Sequence, residues 1–416
     1  MAKLGTICIF DSGMAQSLAH RLAREFERVL YYFRSADFAV DAATLKIGDG
    51  YDDIERIIDW EDYEDEIDVF CFAYVYSGPL QDKLRREGKA VWGASALGEK
   101  MELDRWQMIQ LMRHVGLPVP PSERVIGITA LREFLQENDN QIVKVSYVRG
   151  LTETFPSKNY RLVKNKLIAL ERDLESMAED QEFVVQQKIE MGPGGEIGED
   201  GYNIHGQFPK LAQWGLERKD EAYVAEIVPR GTLPEGVRFI GDKLAGPMKK
   251  FGYAGFFNTE GIMGKDGKAY LIDVTTRFPS PAGECYMELV GNLGEIIDGG
   301  SRGELVQIKP AARYACQVTL RSDFVMKNWL DVEIPDAVRP WIKLVTSCKK
   351  GGIESIVPQE EYDDIIGCAV GIGATLQEAK AKCLEHAGQV EGFQVKFEEG
   401  ELDKAVDEFK KAKASK

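Results

Sequence analysis

The stretch that decides the fold is residues 255–278, which read GFFNTEGIMGKDGKAYLIDVTTRF. Gly-Lys-Asp-Gly at 264–267 separates two apolar runs, and Asp-Gly supplies the positive-φ positions of a tight turn. The sequence therefore predicts a β-hairpin in which Glu260 and Asp273 lie close together on paired strands. Two adjacent carboxylates repel each other unless a divalent cation lies between them, and Mg²⁺ is usually bound by carboxylates plus substrate phosphates. We predict a magnesium site here, and the alternative is a hairpin with two solvated acids.

Two basic residues and one strand strengthen this interpretation. Arg277 precedes Phe-Pro-Ser-Pro, which cannot continue a regular strand, so Arg277 leaves the strand where it would stabilise charge on a transferring phosphoryl group. Lys144 is the one basic residue of the apolar strand QIVKVSY, and a lysine buried there needs an anion. Residues 182–190, EFVVQQKIE, turn abruptly from apolar to polar, which is typical of a hinge that presents backbone groups to an adenine edge.

Several segments, taken in order, carry a resemblance to a known family. They are VWGAS at 91–95, MRHVGLPV at 112–119, LIDVTTRF at 271–278 and IGCAVGIGATLQEAK at 366–380. Over almost its full length the chain resembles the ATP-grasp superfamily and, within it, the glycinamide ribonucleotide synthetases (phosphoribosylamine-glycine ligases). The resemblance implies a multidomain α/β and α+β protein with the ATP-grasp fold. Its amino-terminal domain would be a doubly wound α/β domain, and its carboxyl-terminal domain would be small and α+β.

The resemblance also implies ATP and Mg²⁺ as cofactors. The metal would be held by Glu260, Asp273 and Thr275, while Arg277 and Lys144 would be catalytic. Glu190 would bind ribose hydroxyls at the end of the adenine hinge, with solvent exposure as the alternative. Residues 191–198, MGPGGEIG, would form a mobile loop close to the phosphates, with a simple connection as the alternative. Contacts to the nucleotide are expected from Arg105, Lys144, Gln186, Gln187, Ile189, Glu190 and Glu196.

The sequence departs from the family pattern at identifiable positions. Arg105 stands where the family has a phosphate-contacting lysine, and Thr275 stands where it has an asparagine on the metal strand. The loops DSGMAQ at 11–16 and YSGPL at 76–80 replace "GGREHA" and "GPExPL", which hold the phosphoribosyl acceptor. The nucleotide machinery is therefore predicted to be retained and the acceptor site rebuilt. Residues 201–205, GYNIH, are placed provisionally beside that acceptor cavity.

The leading hypothesis is an ATP- and Mg²⁺-dependent carboxylate-amine ligase that forms an amide through an acyl phosphate. The family substrates are glycine and 5-phosphoribosylamine, and a different amine acceptor is at least as well supported. Two alternatives remain: a true phosphoribosylamine-glycine ligase, and a nucleotide-binding regulator with reduced catalysis. A Rossmann-type oxidoreductase is disfavoured because no G-x-G-x-x-G loop follows the first strand. The expected partners are an amino acid and an amine acceptor, and the protein would be a monomer or a homodimer.

Composition limits the class of protein. The chain has 416 residues, of which 44% are hydrophobic, enough for several subdomains. Its net charge of −16 argues against a nucleic-acid surface, which would need a basic stripe. Seven cysteines form no CxxC pair, which favours reduced thiols in a cytoplasmic protein. We expect neither a signal peptide nor a membrane span, because no apolar run is long enough.

Strands and helices alternate along the first hundred residues, and this order predicts a parallel doubly wound sheet. One of the predicted helices is residues 54–60. The predicted domains are residues 1–100 (amino-terminal α/β domain), 101–185 (helix, linker and lid), 186–305 (catalytic core) and 306–416 (carboxyl-terminal α+β domain).

Overall fold

The amino-terminal strands form a five-stranded parallel sheet in the order β3-β2-β1-β4-β5. The computed structural model describes residues 3–34, 43–147, 154–358 and 364–414. The elements of this region are β1 (Leu4–Asp11), α1 (Gln16–Leu22), β2 (Phe26–Phe33), β3 (Glu55–Ile57), β4 (Val69–Phe72), α2 (Gly78–Arg86) and β5 (Val91–Trp92). The predicted doubly wound sheet is therefore confirmed.

The helix predicted at residues 54–60 is wrong, because this segment contributes the edge strand β3. Its buried side chains, Ile54, Ile57 and Trp60, have a spacing that suits a helix, but Ile58 is 89% exposed. A run this short does not distinguish the helical period from the strand period. The segment forms a strand because it pairs with the open edge of β2.

Two helices lead from this sheet into a small lid. Asp104 accepts a hydrogen bond from the backbone N of Gln107 (2.8 Å), and Gly116 ends the second helix in the left-handed region. The lid is a four-stranded antiparallel sheet, in the order β6-β9-β7-β8, covered by two helices. The elements are α3 (Ala96–Leu103), α4 (Arg105–Val115), β6 (Ser122–Ile126), α5 (Ile128–Glu137), β7 (Gln141–Val145), β8 (Thr154–Ser157), α6 (Tyr160–Leu174) and β9 (Glu182–Gln187).

An eight-stranded sheet forms the centre of the molecule, in the order β14-β13-β10-β11-β12-β15-β20-β17. Its first elements are β10 (Met191–Ile204), β11 (Leu211–Arg218), β12 (Ala222–Pro229), α7 (Glu235–Lys250), β13 (Ala254–Gly264), β14 (Ala269–Thr275), α8 (Ala282–Leu289) and α9 (Leu293–Ser301). Residues 191–198, predicted as a loop, lie instead within β10. The pairing of β10 with β13 shifts register between Met191 and Glu196, so a strand irregularity stands where the glycines predicted a loop.

The carboxyl-terminal strands continue this sheet and add a second one of four strands, in the order β18-β19-β16-β21. The elements are β15 (Tyr314–Arg321), β16 (Leu330–Glu333), β17 (Ile342–Leu344), β18 (Ser347–Lys350), β19 (Ile353–Ile356), β20 (Ile365–Gly373), α10 (Leu376–Ala387), β21 (Glu391–Gly392) and α11 (Glu399–Ala414). The domain boundaries at 100, 185 and 305 stay predictions. All seven cysteines are free and buried. Within the described ranges, no helix is long and apolar enough to cross a membrane.

Candidate active site

The predicted hairpin is confirmed. β13 and β14 are joined by a turn in which the backbone N of Gly267 donates to the carbonyl of Gly264 (2.9 Å), and Gly267 has a φ of 76°. Glu260 lies directly opposite Asp273 in the antiparallel register. Side chains alternate between the faces of a strand, so both acids share one face of the sheet. Val274, between Asp273 and Thr275 on β14, belongs to the hydrophobic core.

The two acids repel each other. Glu260 is solvent-exposed in part, but many protein atoms surround its carboxylate. The Asp273 side chain is 18% exposed. Burial among those atoms, followed by the charge of Asp273, raises the pKa of Glu260 to about 8. The described residues contain no group of three or more His, Cys, Asp or Glu that could hold a metal. Two opposed carboxylates alone do not complete the octahedral coordination that Mg²⁺ requires, so a cation held here would need further oxygen ligands.

Two cations reach the acids from different elements. Arg105, at the start of α4, is 5% exposed and forms an ion pair with Asp273. Lys144, on lid strand β7, is also 5% exposed and donates to the carbonyl of Ile272, next to Asp273. Helix α4, the lid and the central sheet thus converge near Asp273, and the phosphate contacts expected of Arg105 and Lys144 stay predictions.

The cleft between lid and sheet is nearly closed. It encloses about 20 Å³, far below the roughly 300 Å³ or more of a typical ligand pocket. One wall is apolar, as an adenine ring would require, and the polar groups cluster at Asp273. The lining residues are Arg105, Met108, Ile109, Met112, Lys144, Val184, Gln186, Leu271, Ile272, Asp273 and Val274.

The predicted hinge residues occupy different environments. Gln186 is buried in this cleft, where its Nε2 donates to Ser122 Oγ (3.1 Å). Gln187 is exposed, and its backbone N donates to the carbonyl of Pro121 (2.9 Å). Ile189 is half-buried. The Gln187 N–H is thus already bonded within the lid, which restricts the groups that an adenine edge could use.

Glu190 does not reach the cleft. Its side chain is 77% exposed and pairs with Lys265 of the hairpin turn (2.9 Å), which lowers the pKa of Glu190. Glu196 lies in β10 opposite Ile262. The nucleotide contacts assigned to these hinge and strand residues stay predictions.

Arg277 is held by an acid that sequence reasoning missed. Glu102, on α3, is 1% exposed and accepts from Arg277 Nε (3.0 Å) and from the backbone N of Thr276 (2.6 Å). The Arg277 guanidinium also lies over the ring of Tyr74, 5.3 Å from its centre. Arg277 is therefore fixed at the end of the metal strand.

The loop at residues 11–16 is closed by its own first residue. Asp11 is buried, and its carboxylate accepts from the backbone N of Gly13 (3.0 Å) and Ala15 (3.1 Å) and from Tyr31 Oη (2.7 Å). These amides precede α1, where an anion would otherwise bind. The Asp11 carboxylate thus satisfies these backbone amides from within the fold.

The loop at residues 76–80 is closed in the same way. Glu99, buried on α3, accepts from the backbone N of Ser77 (3.1 Å) and Gly78 (2.7 Å) and from Gln81 Nε2 (2.8 Å). Burial raises the pKa of Glu99 to about 7. Sequence reasoning missed Glu99, because its partners lie in a different helix.

Residues 201–205, which were predicted to lie beside the acceptor cavity, contribute side chains to a hydrophobic core. Tyr202 and Ile204 belong to the hydrophobic core shared with the amino-terminal sheet. Asn203 is buried and accepts from the backbone N of Gly206 (2.7 Å). Arg149, a further candidate donor to an acceptor, lies outside the described residues.

No family model matches the sequence, and no curated protein matches it. Solved structures do resemble it. Phosphoribosylamine-glycine ligase from Thermotoga maritima superposes with a TM-score of 0.70 at 16% identity, over 95% of this chain and 99% of that one. L-amino acid ligase from Bacillus licheniformis gives 0.62 at 14% identity, over 96% and 100%. Biotin carboxylase from Campylobacter jejuni gives 0.62 at 16% identity, over 95% and 93%. The chain has the ATP-grasp fold that these enzymes share.

Proposed function

We propose that the protein is an ATP- and Mg²⁺-dependent ligase that joins a carboxylate to an amine. The observation that carries the proposal is the convergence of Arg105, Lys144 and the Glu260/Asp273 pair at one cleft. Two buried cations beside two carboxylates suit a nucleotide phosphate chain with its metal. Two of the enzymes of similar fold, the phosphoribosylamine-glycine ligase and the L-amino acid ligase, are ligases by name.

The proposed chemistry has two steps. A carboxylate oxygen of the first substrate attacks the γ-phosphorus of ATP, the bond from the γ-phosphorus to the bridging oxygen breaks, and ADP leaves. The amine nitrogen of the second substrate then attacks the acyl carbon, and the bond from that carbon to the phosphate oxygen breaks. The amine loses a proton, and an amide and inorganic phosphate are released. No protein nucleophile is required.

The residues act by position and charge. Lys144 and Arg105 would exchange their present partners, the Ile272 carbonyl and Asp273, for phosphate oxygens. Arg277, fixed by Glu102, would stabilise negative charge on the acyl phosphate. The closed lid would keep water from hydrolysing that reactive group.

The residues present fit a magnesium ion. Glu260 and Asp273 are directly opposed, and repulsion between them is what a cation would relieve. These two acids and Thr275 would hold Mg²⁺, whose positive charge would neutralise developing charge on the phosphate oxygens.

The amine acceptor is proposed to lack a phosphate group. Asp11 and Glu99 already bond the amides at the starts of α1 and α2, the two loops expected to bind a phosphoribosyl group. A phosphate placed there would also meet a buried carboxylate and lose partners worth about 1–3 kcal/mol each. An unphosphorylated amine, such as an amino acid, fits this site better than 5-phosphoribosylamine.

The test is ADP release driven by amino acids, first glycine, with and without added amines. Stimulation by a carboxylate together with an amine supports the ligase. Growth of a bacterial strain that lacks phosphoribosylamine-glycine ligase, when it carries this protein, would contradict the acceptor proposal. If Mg²⁺-ATP leaves the melting temperature unchanged, the nucleotide site itself is wrong.

A nucleotide-binding regulator is the second candidate, and the ion pair between Arg105 and Asp273 favours it. If that pair persisted with nucleotide bound, Asp273 would be unavailable to a metal. Nucleotide binding without ADP release from any carboxylate would support the regulator.

A further inference from the structure

Asn258 is an oxygen-bearing side chain on the face of the sheet that carries Glu260 and Asp273, and the proposed function does not use it. Asn258 lies on β13 two positions before Glu260, and Thr275 lies on β14 two positions after Asp273. Asn258 and Thr275 are directly opposed, as are Glu260 and Asp273. Because side chains alternate, all four share one face, in two adjacent cross-strand rows.

The Asn258 amide has a defined orientation. Its Nδ2 donates to Asp200 Oδ1 on the neighbouring strand β10. Asp200 is held in turn by Tyr223 Oη and by Gln213 Nε2 (3.4 Å). Since Asp200 accepts from the nitrogen arm of Asn258, the oxygen arm points in a different direction, away from Asp200.

Asn258 Oδ1 is unsatisfied although it is buried. The residue is 8% exposed, and no atom among the described residues bonds its Oδ1. A buried amide oxygen without a partner costs about 1–3 kcal/mol, so an oxygen fixed in this way is expected to have a ligand in the working protein.

We propose that Asn258 Oδ1 is an oxygen donor to the divalent cation held by Glu260 and Asp273. Asn258 is two positions from Glu260 on β13, and Thr275 is two positions from Asp273 on β14, so both lie in the cross-strand row next to the two acids. Asn258 therefore supplies from the partner strand the amide oxygen that threonine lacks at 275. The inference rests on the proposed metal site, and it makes Asp200 the residue that positions this ligand.

The affinity of the protein for a divalent cation tests the role of Asn258 directly and does not depend on catalytic activity. Mn²⁺ binding is measured by electron paramagnetic resonance with a non-hydrolysable ATP analogue present. Asn258→Ala is expected to raise the Mn²⁺ dissociation constant by roughly 10- to 100-fold, the range typical of lost support around a metal. Adding Thr275→Asn to that variant should restore affinity to within about threefold of the wild type, because the amide oxygen returns on the other strand.

Gln213→Ala is the matched control. Gln213 also bonds Asp200 and lies directly across from it, but on the side away from the acids. This variant should leave the Mn²⁺ dissociation constant within about twofold, a change too small to count as a lost ligand. Tyr223 still holds Asp200 in this variant, so Asn258 should keep its orientation. Equal losses in both variants would show that the loss of affinity does not require removal of the Asn258 oxygen, and would overturn the assignment.

A spectroscopic measurement keeps the proposal falsifiable if Asn258→Ala folds poorly. In wild-type protein labelled with ¹³Cγ-asparagine, electron–nuclear double resonance should show coupling between bound Mn²⁺ and an asparagine carbon. Absence of coupling in protein that binds Mn²⁺ overturns this inference alone. Failure of the wild type to bind Mn²⁺ with the nucleotide analogue overturns the proposed metal site as well.

Discussion

Two regions of the molecule contain buried charged side chains, and the partners of those side chains differ between the two regions. At the β13–β14 hairpin, two acids are directly opposed, and Arg105 and Lys144 reach them from a helix and from the lid. At the starts of α1 and α2, Asp11 and Glu99 are already bonded to backbone amides within the fold. Under the proposed function, the cations at the hairpin would exchange partners when a ligand binds, whereas the backbone amides of the two loops are already bonded within the fold.

Of the two parts of the proposed reaction, nucleotide binding at the hairpin is supported more directly by the structure than binding of a phosphorylated acceptor at the loops. Arg105 and Lys144 now contact Asp273 and the Ile272 carbonyl, and the oxygens of a phosphate chain would replace these partners. The amides at the loops would have to lose a carboxylate before they could bind a phosphate. We therefore expect substitutions at the hairpin to change catalysis and nucleotide binding, and substitutions at the loops to change stability.

The largest expected effect is that of Asp273→Asn. It removes a charge from the metal site and from the ion pair with Arg105, so turnover should fall on the order of 1,000-fold. Steady-state ADP release measures this, and circular dichroism checks the fold. Glu66→Gln, which removes an exposed carboxylate paired with Arg28 on the amino-terminal sheet, is the control and should keep its rate. Wild-type turnover in Asp273→Asn would show that the metal assignment is wrong.

Glu99→Gln should change how stability depends on pH. The pKa of Glu99 is raised from 4.5 to about 7, so the folded protein binds this proton more tightly than the unfolded chain does. The free energy of unfolding therefore falls as pH rises through that interval, by up to about 3 kcal/mol from this group. Denaturant unfolding at pH 5 and pH 8 should show a smaller difference in the variant than in the wild type. Equal differences in the two proteins would contradict the structural role of Glu99.

Lys144→Ala should weaken nucleotide binding. Loss of a charged hydrogen bond in a buried cleft is worth about 2 kcal/mol, or roughly 30-fold in the dissociation constant of Mg²⁺-ATP. Isothermal titration calorimetry measures this constant. Lys188→Ala, at an exposed position near the hinge, should leave it unchanged. An unaltered constant in Lys144→Ala would give Lys144 a purely structural role between lid and sheet.

Tyr31→Phe has the smallest expected effect. It deletes one of the hydrogen bonds to Asp11 and leaves the two amide bonds in place, which should cost about 1 kcal/mol of stability. Thermal unfolding should show a slightly lower midpoint while turnover and the KM for the amine stay the same. A large rise in that KM would mean that the loop at residues 11–16 contacts the acceptor after all.

The parts of the site that could be predicted from sequence depend on local rules or on family resemblance. The hairpin follows from an Asp-Gly turn between apolar runs, and Glu260 and Asp273 follow from the hairpin. Lys144 was singled out because it was the only basic residue of an apolar strand. Each of these signals is contained in a short stretch of sequence.

The parts that could not be predicted depend on contacts between distant segments. Glu102 and Glu99 each bond a segment far away in the chain, and no local pattern identifies those partners. The edge strand at residues 55–57 and the strand at residues 191–198 form because a neighbouring strand offers hydrogen bonds. Local composition had favoured a helix and a loop at these positions.

The most direct test of the central claim compares an amine with its own phosphorylated form. ADP release would be measured with Mg²⁺-ATP, a carboxylate substrate found by screening, and matched acceptors such as serine and phosphoserine or ethanolamine and phosphoethanolamine. The structure predicts that unphosphorylated amines stimulate ADP release and that their phosphorylated forms do not. Preferential stimulation by the phosphorylated amines would contradict it.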